Sequence, residues 1–381
     1  MRILVSALLV TAAGAQVVVD PARVPGLLKH LEPRADEQSL RCEVVPIKPV
    51  LNFSFRFQPG FILRVPLGQY AGPRHRWAIF MKVTPDRGQP VYLATGMRLP
   101  DVPERTRTVA EIGGGFLVGE GRYDIQWVMA DDAGRVCRKK WSFNAHLHRS
   151  ERAVRVAMAP HTISGFSWFN RREAARSQDD ARPLRLTVLL HATPVSLRRT
   201  TLRAGDSVLL VSLLSSLLER LPARAVRLVV FNLDQQKELF REDVFTPRGL
   251  EQVMQSINDV QLGVVDYRVL QNRRGHIDLL TDMVNRELQA KEPSDVVLFL
   301  GPAARYGEHL PPAALESASG PVPQFYYLQY RPFFRTSSNF PDIIALALRK
   351  LRGRTVTIHT PGEFAKAIQQ VERRAGPATS P

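Results

Sequence analysis

Near residue 183 the hydrophobic pattern changes its period, and that change decides what the chain can fold into. Before it, apolar and polar residues alternate in short runs. Leu51–Phe57, Trp77–Val83, Tyr123–Met129 and Val136–Phe143 read with period two, as half-buried strands do. Pro85-Asp86-Arg87-Gly88 is a turn, and Asp131-Asp132-Ala133-Gly134 joins the last two runs as a hairpin. Short strands punctuated by turns predict an all-β domain over 39–147, an Ig-like β-sandwich. Gly113-Gly114-Gly115 falls within it and reads as a bulge or turn.

After residue 183, nearly continuous apolar runs alternate with helical stretches. Leu184–Leu190, Ala225–Asn232, Gly263–Leu270, Asp295–Leu300, Gln324–Tyr330 and Thr355–His359 read as strands. Asp206–Leu221, Thr246–Val260, Gly275–Lys291, Phe340–Leu351 and Pro361–Arg373 read as helices. Asp206 suits an N-cap with Pro222 beyond the helix end, and Thr246-Pro247 suits a second helix start. The alternation predicts a doubly wound, mostly parallel α/β domain over 183–375, covered on both faces. Residues 376–381 read as a disordered tail.

The first fifteen residues read as an export signal. Met1-Arg2 brings positive charge, Ile3–Ala13 is almost wholly apolar, and Ala13-Gly14-Ala15 is a small-x-small site with cleavage expected before Gln16. No lipobox cysteine follows. Residues 16–38, with Pro21, Pro25 and Pro33, read as a loose leader. The two cysteines, Cys42 and Cys137, suit a disulfide in an exported protein. Closing that loop contributes roughly 4–5 kcal/mol in the chain-entropy model, less any strain. No apolar run is long enough for a membrane span. The expected location is periplasmic or extracellular.

The 381 residues carry a net charge of +16, and 43 of the 52 basic residues are Arg. Between Arg135 and Gly205 there are 15 Lys/Arg against four Asp/Glu, a net of +11. This stretch contains the basic linker, 148–182. It reads either as a solvated connector or as a docking surface for polyanions such as polysaccharide, anionic lipid or nucleic acid. Phe166, Trp168 and Phe169 are the aromatics nearby.

In an open α/β sheet, ligands bind beyond the carboxyl ends of the strands. The loop after the first such strand is His191-Ala192-Thr193-Pro194-Val195-Ser196. Neither G-x-G-x-x-G nor G-x-x-x-x-G-K-[ST] occurs, so nucleotide binding has no support. G-x-S-x-G is also missing, so the closeness of His191 and Ser196 gives no hydrolytic site. His146 and His148 share one face of an extended segment, without a third metal ligand in view. Asp131-Asp132, beside Asp124, reads as turn chemistry rather than as an acid–base pair.

The buried first strand Leu184–Leu190, its polar loop, the helix 206–221, the strands 225–232 and 295–300, and the closing pair 355–373 resemble a von Willebrand factor type A domain, with a Rossmann-like sheet, in an exported bacterial protein. The resemblance covers about half the chain. It implies an Asp-x-Ser-x-Ser metal site after the first strand, with a Thr and an Asp from later loops, suited to Mg²⁺. This chain has His191-x-Thr193-x-Val195 instead, and Gly301-Pro302-Ala303-Ala304 supplies no acid.

The expectation is therefore a non-catalytic interaction module with no metal and no cofactor. Its protein partner would be met by His191, Thr193, Ser196, Arg305 and Tyr306. The aromatic segment Tyr326–Phe334 either joins that surface or packs Tyr326, Tyr327 and Phe333 in the core. The alternatives are a basic cell-envelope module binding polyanions, or a hydrolase with an unrecognised site.

Overall fold

The computed structural model describes residues 16–23, 31–72, 75–103, 105–166, 184–195, 199, 202–260, 269, 271–304, 306, 310–311, 313–318, 320–332 and 341–375. The signal at 1–15, most of the basic linker, all but Val269 of the strand expected at 263–270, and the tail at 376–381 lie outside them; Val269 is helical, so the expected strand does not reach it. The chain forms two compact units. The first comprises 1–149 and 155–167, the second 150–154 and 168–381.

The first unit is all-β. Its strands are β1 (Val17–Val19), β2 (Glu43–Leu51), β3 (Phe57–Pro66), β4 (Arg76–Pro85), β5 (Val91–Arg98), β6 (Val109–Gly115), β7 (Leu117–Val118), β8 (Gly121–Asp131), β9 (Val136–Ala145) and β10 (Ile163–Ser164). One sheet runs β1-β5-β4-β8-β9, the other β10-β7-β3-β2 with β6 also on β3. Alternate residues point inward along β4 (Trp77, Ile79, Met81, Val83) and β8 (Tyr123, Ile125, Trp127, Met129), and all are buried. Phe61 of β3 meets Trp127 of β8 edge to face, with ring centroids 5.4 Å apart, so the inner faces of the two sheets share a core. Cys42 and Cys137 pair with Cα atoms 6.3 Å apart, a disulfide separation.

Three expectations for this unit need correction. The alternation Leu51–Phe57 is not one strand. The chain turns between β2 and β3, where the Asn52 carboxamide oxygen accepts from the Ser54 amide (3.0 Å), the Arg56 amide (3.1 Å) and the Ser54 hydroxyl (2.7 Å). An Asx turn thus breaks a run whose polarity pattern looks continuous, and Phe55 takes a left-handed φ of 54°. The leader is not wholly loose, because Val17–Val19 adds to the edge of β5 as an antiparallel strand. The three glycines at 113–115 are neither bulge nor turn but the end of β6, opposite Gly60–Ile62. A Cβ on Gly114 would lie 2.3 Å from the Phe61 ring, so glycine there makes room for the core aromatic.

The Asp131 carboxylate closes the β8–β9 hairpin. It accepts from the amides of Ala133 (3.1 Å) and Arg135 (2.9 Å), from the Tyr70 hydroxyl (3.1 Å) and from the Arg135 guanidinium (2.7 Å). That is turn chemistry, extended by an ion pair between the buried Asp131 and a partly exposed Arg135. At the open edge of the second sheet, β2 exposes Val45, Ile47 and Val50, and it carries Pro46 and Pro49 with a register shift between Ile47 and Val50.

The second unit is α/β. Its strands are β11 (Leu184–His191), β12 (Ala223–Asn232), β13 (Lys237–Glu242), β14 (Val296–Pro302), β15 (Gln324–Tyr330) and β16 (Arg354–Ile358). They form one sheet in the order β13-β12-β11-β14-β15-β16, parallel throughout except for β13. The described helices are α1 (Ala204–Arg220), α2 (Leu250–Asn258), α3 (Gly275–Leu288), α4 (Ile343–Lys350) and α5 (Pro361–Ala375). Leu189, Val229, Phe299 and Tyr327 pack with residues of α3 and α4 in one core. Val188, Val230, Leu298 and Leu328, of opposite alternation, are also buried, as two-faced cover requires.

Asp206 is not the N-cap of α1; Arg203 holds that position. Asp206 lies one turn in and accepts from the Arg203 amide at 2.9 Å, which satisfies a donor outside the helix ladder. Thr246 precedes a 3₁₀ turn, Pro247–Gly249, and makes no side-chain cap. Glu287 of α3 is buried and accepts from Thr187 of β11 (2.8 Å) and from Arg227 of β12 (2.9 Å).

Reduction, or Cys42→Ser, should lower the stability of the first unit by up to about 4–5 kcal/mol, read as a fall in its melting transition. Gly114→Ala should cost about 1–3 kcal/mol by overpacking against Phe61, measured by denaturant unfolding.

Candidate functional site

The carboxyl ends of β11, β12 and β14 bring together three of the five residues singled out from the sequence. His191 ends β11, Thr193 follows it, and Tyr306 follows β14. Ser196 and Arg305 lie outside the described residues.

His191 is 2% exposed, and its ring lies against that of Phe231, with centroids 5.1 Å apart. Its Nδ1–H donates to the Pro302 carbonyl at 3.2 Å, which fixes the tautomer because a carbonyl only accepts. Nε2 is then a bare lone pair, buried and without a hydrogen-bond partner among the described residues. Burial holds the imidazole below its ordinary pKa, against smaller opposing pulls from Asp234, the Pro302 carbonyl and Asp342. The close approach of β14 needs Gly301. Its φ is +139°, and a Cβ there would stand 2.7 Å from the His191 carbonyl oxygen.

Asp234, two residues beyond β12, joins the other two residues. It accepts from the Tyr306 hydroxyl at 2.5 Å and from the Thr193 hydroxyl at 3.3 Å. The Tyr306 ring stacks on that of His276 at 4.1 Å. Burial, then the charge of Asp234, pushes the Tyr306 phenol far above its ordinary value, so it stays a donor. Asn232 clamps the two loops, donating to the Ala192 carbonyl (2.6 Å) and accepting from the Gln235 amide (2.7 Å).

Asp342, the N-cap of α4, is the hub of this end of the sheet. Oδ1 accepts from the amides of Ile344 (2.9 Å) and Ala345 (3.2 Å). Oδ2 accepts from the Ala304 amide (3.0 Å), the Tyr327 hydroxyl (3.1 Å) and the Gln329 carboxamide (2.6 Å). The Tyr327 hydroxyl also approaches the Pro302 carbonyl at 2.9 Å, and Gln329 accepts from Thr357 of β16 at 3.2 Å. A hydrogen-bonded web therefore runs from His191 through Pro302, Tyr327 and Asp342 to β16.

Each acidic side chain described here already serves the protein. Asp206 takes the Val195 amide (3.3 Å) besides that of Arg203. Among the described residues no three His, Cys, Asp or Glu side chains group as a metal site. Tyr326 and Tyr327 lie within β15 and are buried, so they belong to the core rather than to a binding loop. Phe333 lies outside the described residues. His146 and His148 are exposed, with ring centroids 5.7 Å apart. In the basic stretch, Arg135 pairs with Asp131, Arg138 with Glu37 and Arg185 with Glu292.

Sequence reasoning missed Asn232, Asp234 and Asp342. The helical run after Asp342 carries an N-cap signal. Nothing local marks its bonds to Ala304, Tyr327 and Gln329, or marks Asp234 as the partner of Thr193 and Tyr306.

Asp342→Ala should destabilise the second unit by about 2–4 kcal/mol, because it removes a cap and strands buried donors. The lowered pKa of His191 gives a signed expectation for pH. Below about 6.5 the unfolded chain binds a proton that the folded chain refuses, so stability falls as pH drops through that value. Denaturant midpoints at pH 7 and pH 5 should fall more in the parent chain than in His191→Phe. This difference isolates His191 from groups such as His75, whose pKa is raised, first by its bond to the Ala71 carbonyl.

No protein-family model and no curated sequence matches the chain. Among solved structures, a structural-genomics target is similar at 15% identity and TM-score 0.20, over 30% of this chain and 96% of its own. A putative ApaA protein from Bordetella pertussis is similar at 10% identity and TM-score 0.21, over 30% of this chain and 98% of its own. At these TM-scores neither bears on what this chain is or does.

Proposed function

We propose that this is an exported, non-catalytic protein. In this reading its α/β unit is a von Willebrand factor type A-like module that meets a protein partner without metal. The observation that carries it is the saturation of the carboxylates at the carboxyl ends of the strands. Asp206, Asp234 and Asp342 are spent on protein donors, and a neutral imidazole, His191, stands where the resemblance expects the first carboxylate. A hard cation needs free anionic oxygens, and none of these three offers both of its own. The strand order, with one antiparallel edge strand, supports the type A-like reading.

Export supplies the oxidising compartment that a Cys42–Cys137 bridge needs. The leader Met1–Ala15 would then be removed before Gln16. No helix among the described residues is long and apolar enough to cross a membrane. The partner would be recognised by loop shape around Thr193 and Tyr306, with a periplasmic or extracellular site of action.

Thermal unfolding of the oxidised protein in EDTA, then in Mg²⁺, Mn²⁺, Ca²⁺ or Zn²⁺, tests the metal-free reading. A cation at a hundred times its dissociation constant would add about 2.7 kcal/mol of stability. The expected result is an unchanged melting temperature with all four. A rise with Mg²⁺ or Mn²⁺ would overturn the reading in favour of metal-dependent adhesion. A rise with Zn²⁺ alone would point to the histidines, His191 or the exposed pair His146 and His148, and reopen the question of catalysis.

A further inference from the structure

We propose that the first unit binds a small phosphorylated ring compound in a cleft on the outer face of its five-stranded sheet. Alternation fixes that face. Trp77, Ile79 and Met81 of β4 point into the core, so Arg76, Ala78 and Phe80 point away from it. Strand pairing carries the same face across to β5 and β8. Ala78 lies opposite Gly96 of β5 and Ala130 of β8, and Arg76 lies opposite Arg98. These residues line an open cleft of about 510 Å³, a volume suited to a small molecule.

Two features of the cleft serve nothing in the fold. The first is the arginine pair. Like charges directly opposite on neighbouring strands repel. Arg76 and Arg98 are both exposed, and neither has an ion pair or side-chain hydrogen bond among the described residues. Two carboxylates line the same cleft but are taken elsewhere, Asp132 by His75 at 3.1 Å and Asp131 by Tyr70 and Arg135. The second is Gly96. A glycine inside a strand weakens it and marks a place where something approaches closely. Gly96 has no positive φ, and a Cβ on it would meet nothing within 4 Å. Neither a turn nor internal packing calls for it. It leaves a row of small residues, Ala130, Ala78 and Gly96, between the arginine row and the row that holds Phe80. Together these features select one ligand chemistry. Two adjacent guanidiniums suit a dianion with several acceptor oxygens, which a phosphate monoester supplies at neutral pH. A low floor beside an aromatic side chain suits the face of a ring. The phosphate would sit on Arg76 and Arg98, with the ring over Gly96.

The test is a phosphorus NMR titration of the full oxidised chain with phenyl phosphate and, separately, inorganic phosphate. The expected result is saturable binding of phenyl phosphate and several-fold weaker binding of inorganic phosphate. No binding of phenyl phosphate would overturn the proposal, and equal affinities would overturn the part given to the ring. Arg98→Gln should weaken phenyl phosphate by about tenfold, the loss of one charge-assisted hydrogen bond. Its melting temperature should hold or rise, because a repulsion is relieved. Gly96→Val keeps both charges, suits a strand better and fills the floor. It should melt no lower than the parent and lose the advantage of phenyl phosphate over inorganic phosphate. Binding that neither variant weakens would show an adventitious ion only, held by a basic surface, and would overturn the site.

Discussion

The carboxylate of Asp342 holds the second unit together where it matters most. A buried carboxylate is tolerated only when donors surround it, and here five do, from α4, from the loop after β14 and from β15. Three separate stretches of chain must be in place before that count is met. The same carboxylate that caps α4 through Oδ1 sets, through Oδ2, the height of the loop carrying Ala304, and with it the Pro302 carbonyl that orients His191. The position of the candidate surface is thus a consequence of burying one charge well. Glu287 plays the corresponding part between β11, β12 and α3, where its carboxylate meets Thr187 and Arg227. Hydrophobic cover decides that these strands form a sheet, and the two buried acids decide how its neighbours sit on it.

Much of the α/β unit was legible in the amino-acid sequence because a central parallel strand must be apolar on both faces. Leu184–Leu190 and Val296–Leu300 carry that demand openly. The edge strand β13 was missed for the converse reason. Lys237–Glu242 is half-exposed and reads Lys-Glu-Leu-Phe-Arg-Glu, a pattern that pairing with β12 rescues and periodicity alone does not mark. In the first unit the alternation through Leu51–Phe57 hid a turn, because an Asx turn needs only Asn52 and leaves the aromatic pattern intact.

The candidate site divides along the same line. The place of His191 and Thr193 follows from topology, since loops at the carboxyl ends of strands are neighbours whatever their sequence. The partners of these residues do not follow. Asp234 lies 41 residues from Thr193 and 72 from Tyr306, and no spacing rule joins them. Tyr326 and Tyr327, read as possible contact residues for their chemistry, instead fill the core of β15, because a parallel strand between two others has no exposed face to offer.

The open edge of β2 has a bearing on how the protein behaves among copies of itself. A strand showing Val45, Ile47 and Val50 to solvent has the side chains of a template for intermolecular sheet growth. Pro46 and Pro49 remove two amide donors from it, and the register shift between Ile47 and Val50 bends what remains. An incoming strand would find apolar contacts and an interrupted ladder. The chain can therefore keep a greasy rim on its first unit and still resist fibril-like stacking at high local concentration.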